Sequence, residues 1–551
     1  MEQSVANRRG KSIAPEVSVL CLYMLLLGFV LSRHEPWFDE AQAWLMARDL
    51  PYGDLVFRWM RYEGHLPLWH LLLSIPAKAG VPYEWGLKSV NFLCASAATA
   101  ILLLRAPFPR PAKLLLPFTY FLFYQYGVIS RCYSLLMLAL WLSAAFYAAR
   151  HERPIRFVLA LMLLGGSAAY GMLMAFAVAF VWFLEMAGQA RARGGALRRL
   201  LVDRRTLCLA ALAAVHIFYV ALLWPPADGF APLSAAQRGW TESFNYVVRA
   251  PLEATFLDMT NYMDAANTAL PWPLAVESLL VVAGFLWVMW FRRHFLLASL
   301  LLGSLFLFFF TQYYYIHHSG ILWLSMLFLL WISTVQPVQM RALGRFRAKL
   351  LPYRQRLRAV GMATVGLVLA VQVFWAASAA FHDAREPYSA GRELAGFLKQ
   401  HRMDQLRVFG AYETYVDGNG AFFAVHNEAL PYFTDNILVN LNEGNRRWSF
   451  VQHRRQPFTQ TKQRMKELAG EPDVIVAWSA GIVPYHDVLP IERYVKVGDF
   501  YGWHFWKASQ PGIVPQCGVY LREDLLVRFP GLRPLPDVPL DQYKKLVSAK
   551  R

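Results

Sequence analysis

Apolar blocks with few or no charges, most of them separated by short basic loops, fill the first 380 residues of this 551-residue chain. They lie near 15–33, 86–104, 114–130, 133–149, 157–171, 172–188, 206–224, 272–291, 295–311, 319–336 and 359–380. A helix needs roughly 17–22 such residues to cross about 30 Å of hydrocarbon. The pattern therefore predicts a polytopic α-helical membrane protein with about eleven crossings. The loop charges agree with that threading. If each block crosses once, Arg8, Arg9 and Lys11 share a side with Arg105/Arg110/Lys113, Arg150/Arg153/Arg156, Arg191 to Arg205, Arg292/Arg293 and Arg341 to Arg358. That segregation is the positive-inside rule. Segments 34–85 and 225–271 become outer loops. The run at 67–80 is too short to cross and carries Lys78, so it reads as an interfacial helix.

Past residue 380 the pattern changes. Glycine, proline, asparagine and charges return, and the apolar runs shorten. Val408-Phe409-Gly410 and Val474-Ile475-Val476-Ala477 look like buried strands, while 389–401 and 459–469 have helical periodicity. Two domains follow: 1–380 in the membrane, and 381–551 as a soluble α/β domain on the outer side. No P-loop, dinucleotide-binding glycine fingerprint or nucleophile elbow occurs in the second.

Composition narrows the class further. Hydrophobic residues make up 56% and charged ones 17%, against about 25% charged in soluble domains. The net charge of +18 sits in short loops between apolar blocks, which argues for membrane orientation and against a nucleic-acid partner. Cys21, Cys94, Cys132, Cys208 and Cys517 form no CxxC pair and no zinc-ligand spacing. Arg33-His34-Glu35-Pro36 lacks the small residues of a signal cleavage site, so the first block is expected to remain as a helix.

Candidate chemistry gathers on the outer face, in three clusters. The first outer loop opens with His34-Glu35-Pro36-Trp37-Phe38-Asp39-Glu40-Ala41-Gln42-Ala43-Trp44-Leu45. Read as an amphipathic helix on the membrane surface, it would hold Asp39 and Glu40 just above the headgroups; read plainly, these carboxylates only solvate or cap that helix. Further along stands Glu63-Gly64-His65-Leu66-Pro67-Leu68. The second cluster is Ser130-Arg131-Cys132-Tyr133, where Arg131 could bind an anion or snorkel to the interface. The third, Tyr313-Tyr314-Tyr315-Ile316-His317-His318, fits an aromatic belt, a phosphate contact or a metal site. Tyr170, at another outer turn, is a weaker candidate for the same cavity.

Asp-Glu after the first crossing, then an acidic residue two before a basic one and a Pro-Leu-aromatic run, resembles the multi-spanning GT-C type of polyprenyl-phosphate-sugar glycosyltransferase. Protein O-mannosyltransferases and lipid A aminoarabinose transferases carry Asp-Glu there, followed by Asp-x-His-Pro-Pro-Leu or Glu-Lys-Pro-Pro-Leu. Glu63 to Leu68 departs from this by an inserted glycine or a lost proline. Ser130 to Tyr133 keeps one arginine and one tyrosine of the family's outer turn. The resemblance implies a GT-C-like membrane domain with an outer C-terminal domain. It implies an inverting glycosyltransferase of a bacterial inner membrane, with residues 381–551 periplasmic. The donor would be a polyprenyl-phosphate sugar, and the acceptor an envelope glycan, lipid or protein. Asp39 would act as general base, and Glu40 and Glu63 would orient the acceptor or hold a divalent ion. His65, Arg131, Tyr133, His317 and His318 would meet the donor phosphate. No cofactor signature is present; a divalent metal ion is the single candidate, its ligands unknown. Three other readings remain open: a transporter or flippase of lipid-linked sugars, a glycan polymerase or ligase using diphosphate-linked donors, and a binding module on an inert anchor.

Overall fold

The computed structural model describes residues 13–192, 202–229, 239–256, 271–312, 314, 316–335, 354–415, 420–423, 428–442, 446–453, 467, 471–478, 481–503 and 516–536. Its main helices, in chain order, are α1 (Ala14–Arg33), α2 (Phe38–Asp49), α3 (Leu68–Lys78), α4 (Tyr83–Arg105), α5 (Tyr133–Tyr147), α6 (Pro154–Ser167), α7 (Ala169–Ala192), α8 (Arg204–Leu223), α9 (Trp240–Thr255), α10 (Trp272–Phe291), α11 (Phe295–Thr311), α12 (Ser319–Val335), α13 (Arg354–Asp383) and α14 (Gly391–Gln400). Six of them, α1, α4, α7, α8, α10 and α13, are long and apolar enough to cross a membrane; α5, α6, α11 and α12 are shorter apolar helices.

Ten of the expected blocks thus appear as apolar helices, and the block near 114–130 does not. It forms a 3-10 turn at Leu116–Phe118 and then a π-helix at Phe121–Val128. Pro117 brings no N–H to a helical ladder, and Thr119 is extended at ψ 153°, so no continuous α-helix can run through. Every residue of Phe121–Val128 is buried. Irregular backbone is tolerated at membrane depth when protein rather than lipid surrounds it. The expected loop 225–271 also changes: it contains α9, which packs on α10, α11 and α12. Buried Arg249 and Glu253, together with Pro251 inside the helix, interrupt the apolar run that would have announced it.

The largest correction concerns the loop expected on the outer side after α1. α2 was expected to lie on the membrane surface with one face wet, yet Glu40 through Ala47 are all buried. Ala41, Ala43, Trp44 and Ala47 join the core of the membrane helices, while Leu45 and Met46 join a second core above them. A helix covered on every side is an internal element, not an interfacial one. Its seat against α4 depends on Gly86, where a Cβ would run into the Trp44 ring. The run at 67–80 does keep an uneven character as α3: Trp69, His70, Leu73, Ser74 and Ala77 are buried, and Ile75 is 66% exposed.

The region after residue 381 is built on a four-stranded sheet and a hairpin. Its strands are β1 (Val408–Gly410), β2 (Tyr412–Tyr415), β3 (Gly420–Phe423), β4 (Val474–Trp478), β5 (Tyr494–Tyr501) and β6 (Gln516–Arg522). The sheet runs β1-β4-β6-β5, and among the described residues β2 pairs with β3 alone. β1 and β4 are parallel, with Val408 opposite Val474; the other pairs are antiparallel. The expected strands are β1 and β4, the expected helix 389–401 is α14, and the expected helix 459–469 lies outside the described residues apart from residue 467. Leu394 and Leu398 of α14, with Val474 and Val519 of the sheet, share one core with Leu45, Met46, Leu55 and Trp59 of the segment between α1 and α3. The region after residue 381 is therefore docked through apolar contact onto the helix that begins with Phe38 and Asp39.

Candidate active site

α2 starts shortly after α1 ends, so the chain turns at His34–Trp37 and points the first turn of α2 at the turn after the π-helix. Two neighbouring carboxylates leave that first turn in different directions. Asp39 faces a cavity, where its Oδ2 lies 2.7 Å from Nη1 of Arg131, the two side chains being 31% and 15% exposed. Glu40 is fully buried: Oε1 accepts the Ser130 N–H at 2.6 Å, and Oε2 accepts the Trp37 N–H at 3.2 Å. The backbone of the turn that carries Arg131 is thereby fixed to the helix that carries Asp39.

Glu40 also belongs to a buried ion cluster. His34 Nε2 lies 3.1 Å from Glu40 Oε2, and His34 Nδ1 lies 2.9 Å from Asp383 at the end of α13. Burial pulls the His34 imidazole down, but Asp383 and Glu40 more than reverse this and raise it to about 10. Beside this triad, Glu35 accepts the Ser389 hydroxyl and the Arg392 N–H, while Glu428 accepts the Phe38 and Ala390 N–H groups. Burial pushes Glu35 up to about 7, and burial with the nearby Glu35 pushes Glu428 well above the carboxylate range. A folded-state value above the ordinary 4.5 means that stability is fullest below pH 4.5 and falls as pH rises towards 7. Glu35→Gln should remove that fall. Its melting curve, measured from pH 4.5 to 8, should gain on the parent across this window by at most about 3 kcal/mol. Parallel curves for the two proteins would show that Glu35 does not titrate in the fold.

The cavity is lined by Asp39, Gln42, Ala43, Glu63, His65, Leu66, Trp69, His70, Arg131 and Cys132. Glu63 precedes the left-handed Gly64, whose φ of 66° ends the helical stretch and turns the chain towards His65. Glu63 Oε1 accepts from Gln42 Nε2 at 3.0 Å and lies 3.0 Å from His453 Nδ1. Gln42 also bonds the Val451 backbone through both ends of its amide. Val451 and His453 of the C-terminal region thus hold the cavity wall. Burial opposes charge on both Glu63 and His453, yet each favours the charged form of the other: Glu63 falls below its ordinary value and His453 rises. Burial and the Arg131 charge hold His65 at about 4; burial, with Arg131 adding, holds His70 at about 4.

Tyr133, His317 and His318 do not line the cavity. They stand behind Arg131, whose guanidinium lies 5.4 Å from the Tyr133 ring centre. That ring stacks on Tyr126 at 4.9 Å and meets His317 at 5.8 Å and His318 at 6.4 Å. Tyr126 donates its hydroxyl to the His317 carbonyl, and Tyr170 packs 5.1 Å from His318. Burial, then the charge of Arg131, keeps the His317 imidazole well below its ordinary value; burial, then His317 and Arg131, does the same for His318. Sequence reading passed over His70 and His453. Trp69-His70 follows a Pro-Leu pair on an apolar helix, where a histidine looks like core, and His453 sits in a segment without pattern. As to a divalent ion, no group of three or more His, Cys, Asp or Glu side chains among the described residues converges where a metal could sit.

These features define a multi-pass helical membrane protein with a polar cavity between its helices and a docked C-terminal sheet region. No family model matches the chain, and no curated protein does. Among solved structures it is similar to the chain described as "Crystal Structure of ArnT from Cupriavidus metallidurans in the apo state". The two are 12% identical, with 91% of this chain and 97% of that chain covered at a TM-score of 0.48.

Proposed function

We propose that this chain is an inverting glycosyltransferase that moves a sugar from a polyprenyl-phosphate carrier to a hydroxyl acceptor at the outer face of a bacterial inner membrane. The observation that carries this reading is the 2.7 Å pair of Asp39 and Arg131 on one cavity wall. The chemistry needs one base and one cation side by side. The acceptor hydroxyl attacks the anomeric carbon, its proton passes to Asp39, and the bond from that carbon to the phosphate oxygen breaks. Such a base contributes about 10²–10⁴-fold. The departing phosphate gains charge, which Arg131 stabilises. In the resting site the two residues occupy each other. An arriving phosphate competes for Arg131 and releases the Asp39 carboxylate, so the base is freed only when a donor is present. His65 borders the same space, and Tyr133 with His317 and His318 supports the guanidinium from behind. Glu63 faces the acceptor, while Glu40 acts as a positioning residue through the Ser130 backbone. The carrier's tail stays in lipid, which accounts for a catalyst embedded among helices. An envelope glycan, lipid or protein supplies the hydroxyl, and residues 381–551 lie in the periplasm.

The test measures transfer from defined polyprenyl-phosphate sugars by the full chain in nanodiscs. The acceptor is first identified by mass spectrometry of envelope glycans and lipids from cells with and without the protein. Arg131→Ala should raise the donor KM about tenfold or more, as expected for losing a charge-assisted contact to phosphate, and should change the acceptor KM less. An unchanged donor KM in folded protein would leave Arg131 as an interfacial anchor.

A further inference from the structure

A short piece of the C-terminal region, outside any helix or strand, bonds its way along the wall of the cavity at every second residue. The Ser449 N–H donates to Asp49 Oδ2 at 2.6 Å, the Val451 N–H donates to Gln42 Oε1 at 2.9 Å, and His453 Nδ1 lies 3.0 Å from Glu63 Oε1. Gln42, only 3% exposed, is the centre of this contact. A primary amide offers donors and an acceptor. Its Nε2 donates to the Val451 carbonyl at 2.8 Å while its Oε1 takes the Val451 N–H, so the side chain pairs with Val451 as a neighbouring strand would. Nε2 also donates to Glu63 Oε1 at 3.0 Å.

The result is a carboxylate used on one side. Glu63 Oε1 faces both Gln42 and His453. Oε2 accepts nothing from the described residues and is not fully covered; the side chain lines the cavity and keeps 10% of its surface open. Two partners from distant segments hold Oε1, so the group cannot turn about its last bond without losing both. A reacting group held in one orientation is what transfer between two bound substrates needs. An ionised carboxylate only accepts hydrogen bonds. Oε2 therefore suits a hydroxyl and repels a phosphate, whose place on this wall is at Arg131.

We propose that Gln42 and His453 are positioning residues for the acceptor: they fix Oε1 of Glu63 so that Oε2 holds an acceptor hydroxyl, and through them the C-terminal region governs acceptor use and not donor use. The inference rests on the glycosyltransferase reading above and assigns the acceptor side of that site.

The experiment is the transfer assay on the full chain in nanodiscs, with the acceptor found by mass spectrometry and bare polyprenyl monophosphate as a competing probe of the donor side. His453 is 19% exposed, so its replacement leaves the fold largely intact. His453→Ala and Gln42→Ala should each raise the acceptor KM about tenfold or more, with inhibition by bare polyprenyl monophosphate as in the parent. His453→Gln, which keeps a donor, should recover part of the loss. In a Glu63→Ala background neither substitution should raise the acceptor KM further, because both act through Glu63. Full additional losses in that background would overturn the proposal, since they are the result of a loosened wall. So would an unchanged acceptor KM in His453→Ala, or weakened inhibition by bare polyprenyl monophosphate in step with the acceptor loss. Absence of transfer by the parent chain from every polyprenyl-phosphate sugar would instead overturn the glycosyltransferase reading itself.

Discussion

Asp39→Asn is expected to lower turnover by about two to four orders of magnitude and to leave yield, membrane insertion and melting temperature close to the parent. Asparagine keeps the size and one acceptor oxygen of the aspartate, but it cannot take a proton at neutral pH. The fold has little stake in this carboxylate. It is 31% exposed in the cavity, and its partner Arg131 is held by its own turn and by the Tyr133 ring. Weakening a partly exposed pair of this kind costs about 1 kcal/mol. Turnover should therefore collapse without unfolding. The donor should bind no worse than in the parent, because the neutral amide no longer competes with phosphate for Arg131. Glu63→Gln should fall between the parent and Asp39→Asn, since it retains the acceptor oxygen that meets Gln42 and His453. The measurements are single-turnover transfer rates and melting curves on the same preparations. Full activity in correctly inserted Asp39→Asn protein would end the mechanism proposed here.

His34→Ala should do the reverse and damage the fold first. It leaves the carboxylates of Glu40 and Asp383 in a site where neither His34 nor Glu40 has any exposed surface and Asp383 is 1% exposed. Removing the cation from such a group costs about 3–5 kcal/mol, because the anions remain buried without compensation. The expected result is a large drop in melting temperature and in recovered protein. Any surviving activity should be low, because Glu40 would no longer be held in place to fix the Ser130 turn under Arg131. The pH dependence provides a second reading. His34 is raised in the folded state to about 10 from 6.5. Its contribution is thus complete below pH 6.5 and lost as pH rises through 10. The parent should lose stability over that alkaline window. His34→Gln, which keeps hydrogen bonding but cannot be charged, should start lower and show no such decline. Equal melting curves for parent and His34→Ala would mean that the triad contributes nothing to holding α1, α2 and α13 together.

The contrast between neighbours Asp39 and Glu40 shows where reading the chain stops. As adjacent acidic residues after the first crossing they carry the same signal. The α-helix sends successive side chains about 100° apart, and what each meets depends on segments distant in sequence. Asp39 meets Arg131. Glu40 meets His34, itself paired with Asp383 across 349 residues. Both Asp39 and Arg131 were legible as candidates, because charges at a membrane boundary stand out against apolar blocks. Their contact was not. His70 and His453 were missed for related reasons: a histidine among leucines gives no sign of whether its ring nitrogens are satisfied, and 451–453 has meaning only through Gln42 and Glu63, about 400 residues earlier in the chain.

The bare chain was enough to show which segments are apolar enough for a membrane, which ends of them carry polar groups, and that β1 and β4 are strands. Those properties are local: hydrocarbon demands a continuous apolar run, and a buried strand favours a short apolar run rich in β-branched and aromatic residues. It took the folded molecule to establish that α2 is an internal helix, that 114–130 forms a broken helix buried by its neighbours, and that Val451 and His453 bond Gln42 and Glu63 of the cavity wall. Each of these depends on what covers a surface. A helix with apolar residues on two faces is indifferent between lipid and protein until a second body is docked on it. Here that body is the region after residue 381, whose Leu394, Leu398 and Val474 complete the core begun by Leu45 and Met46.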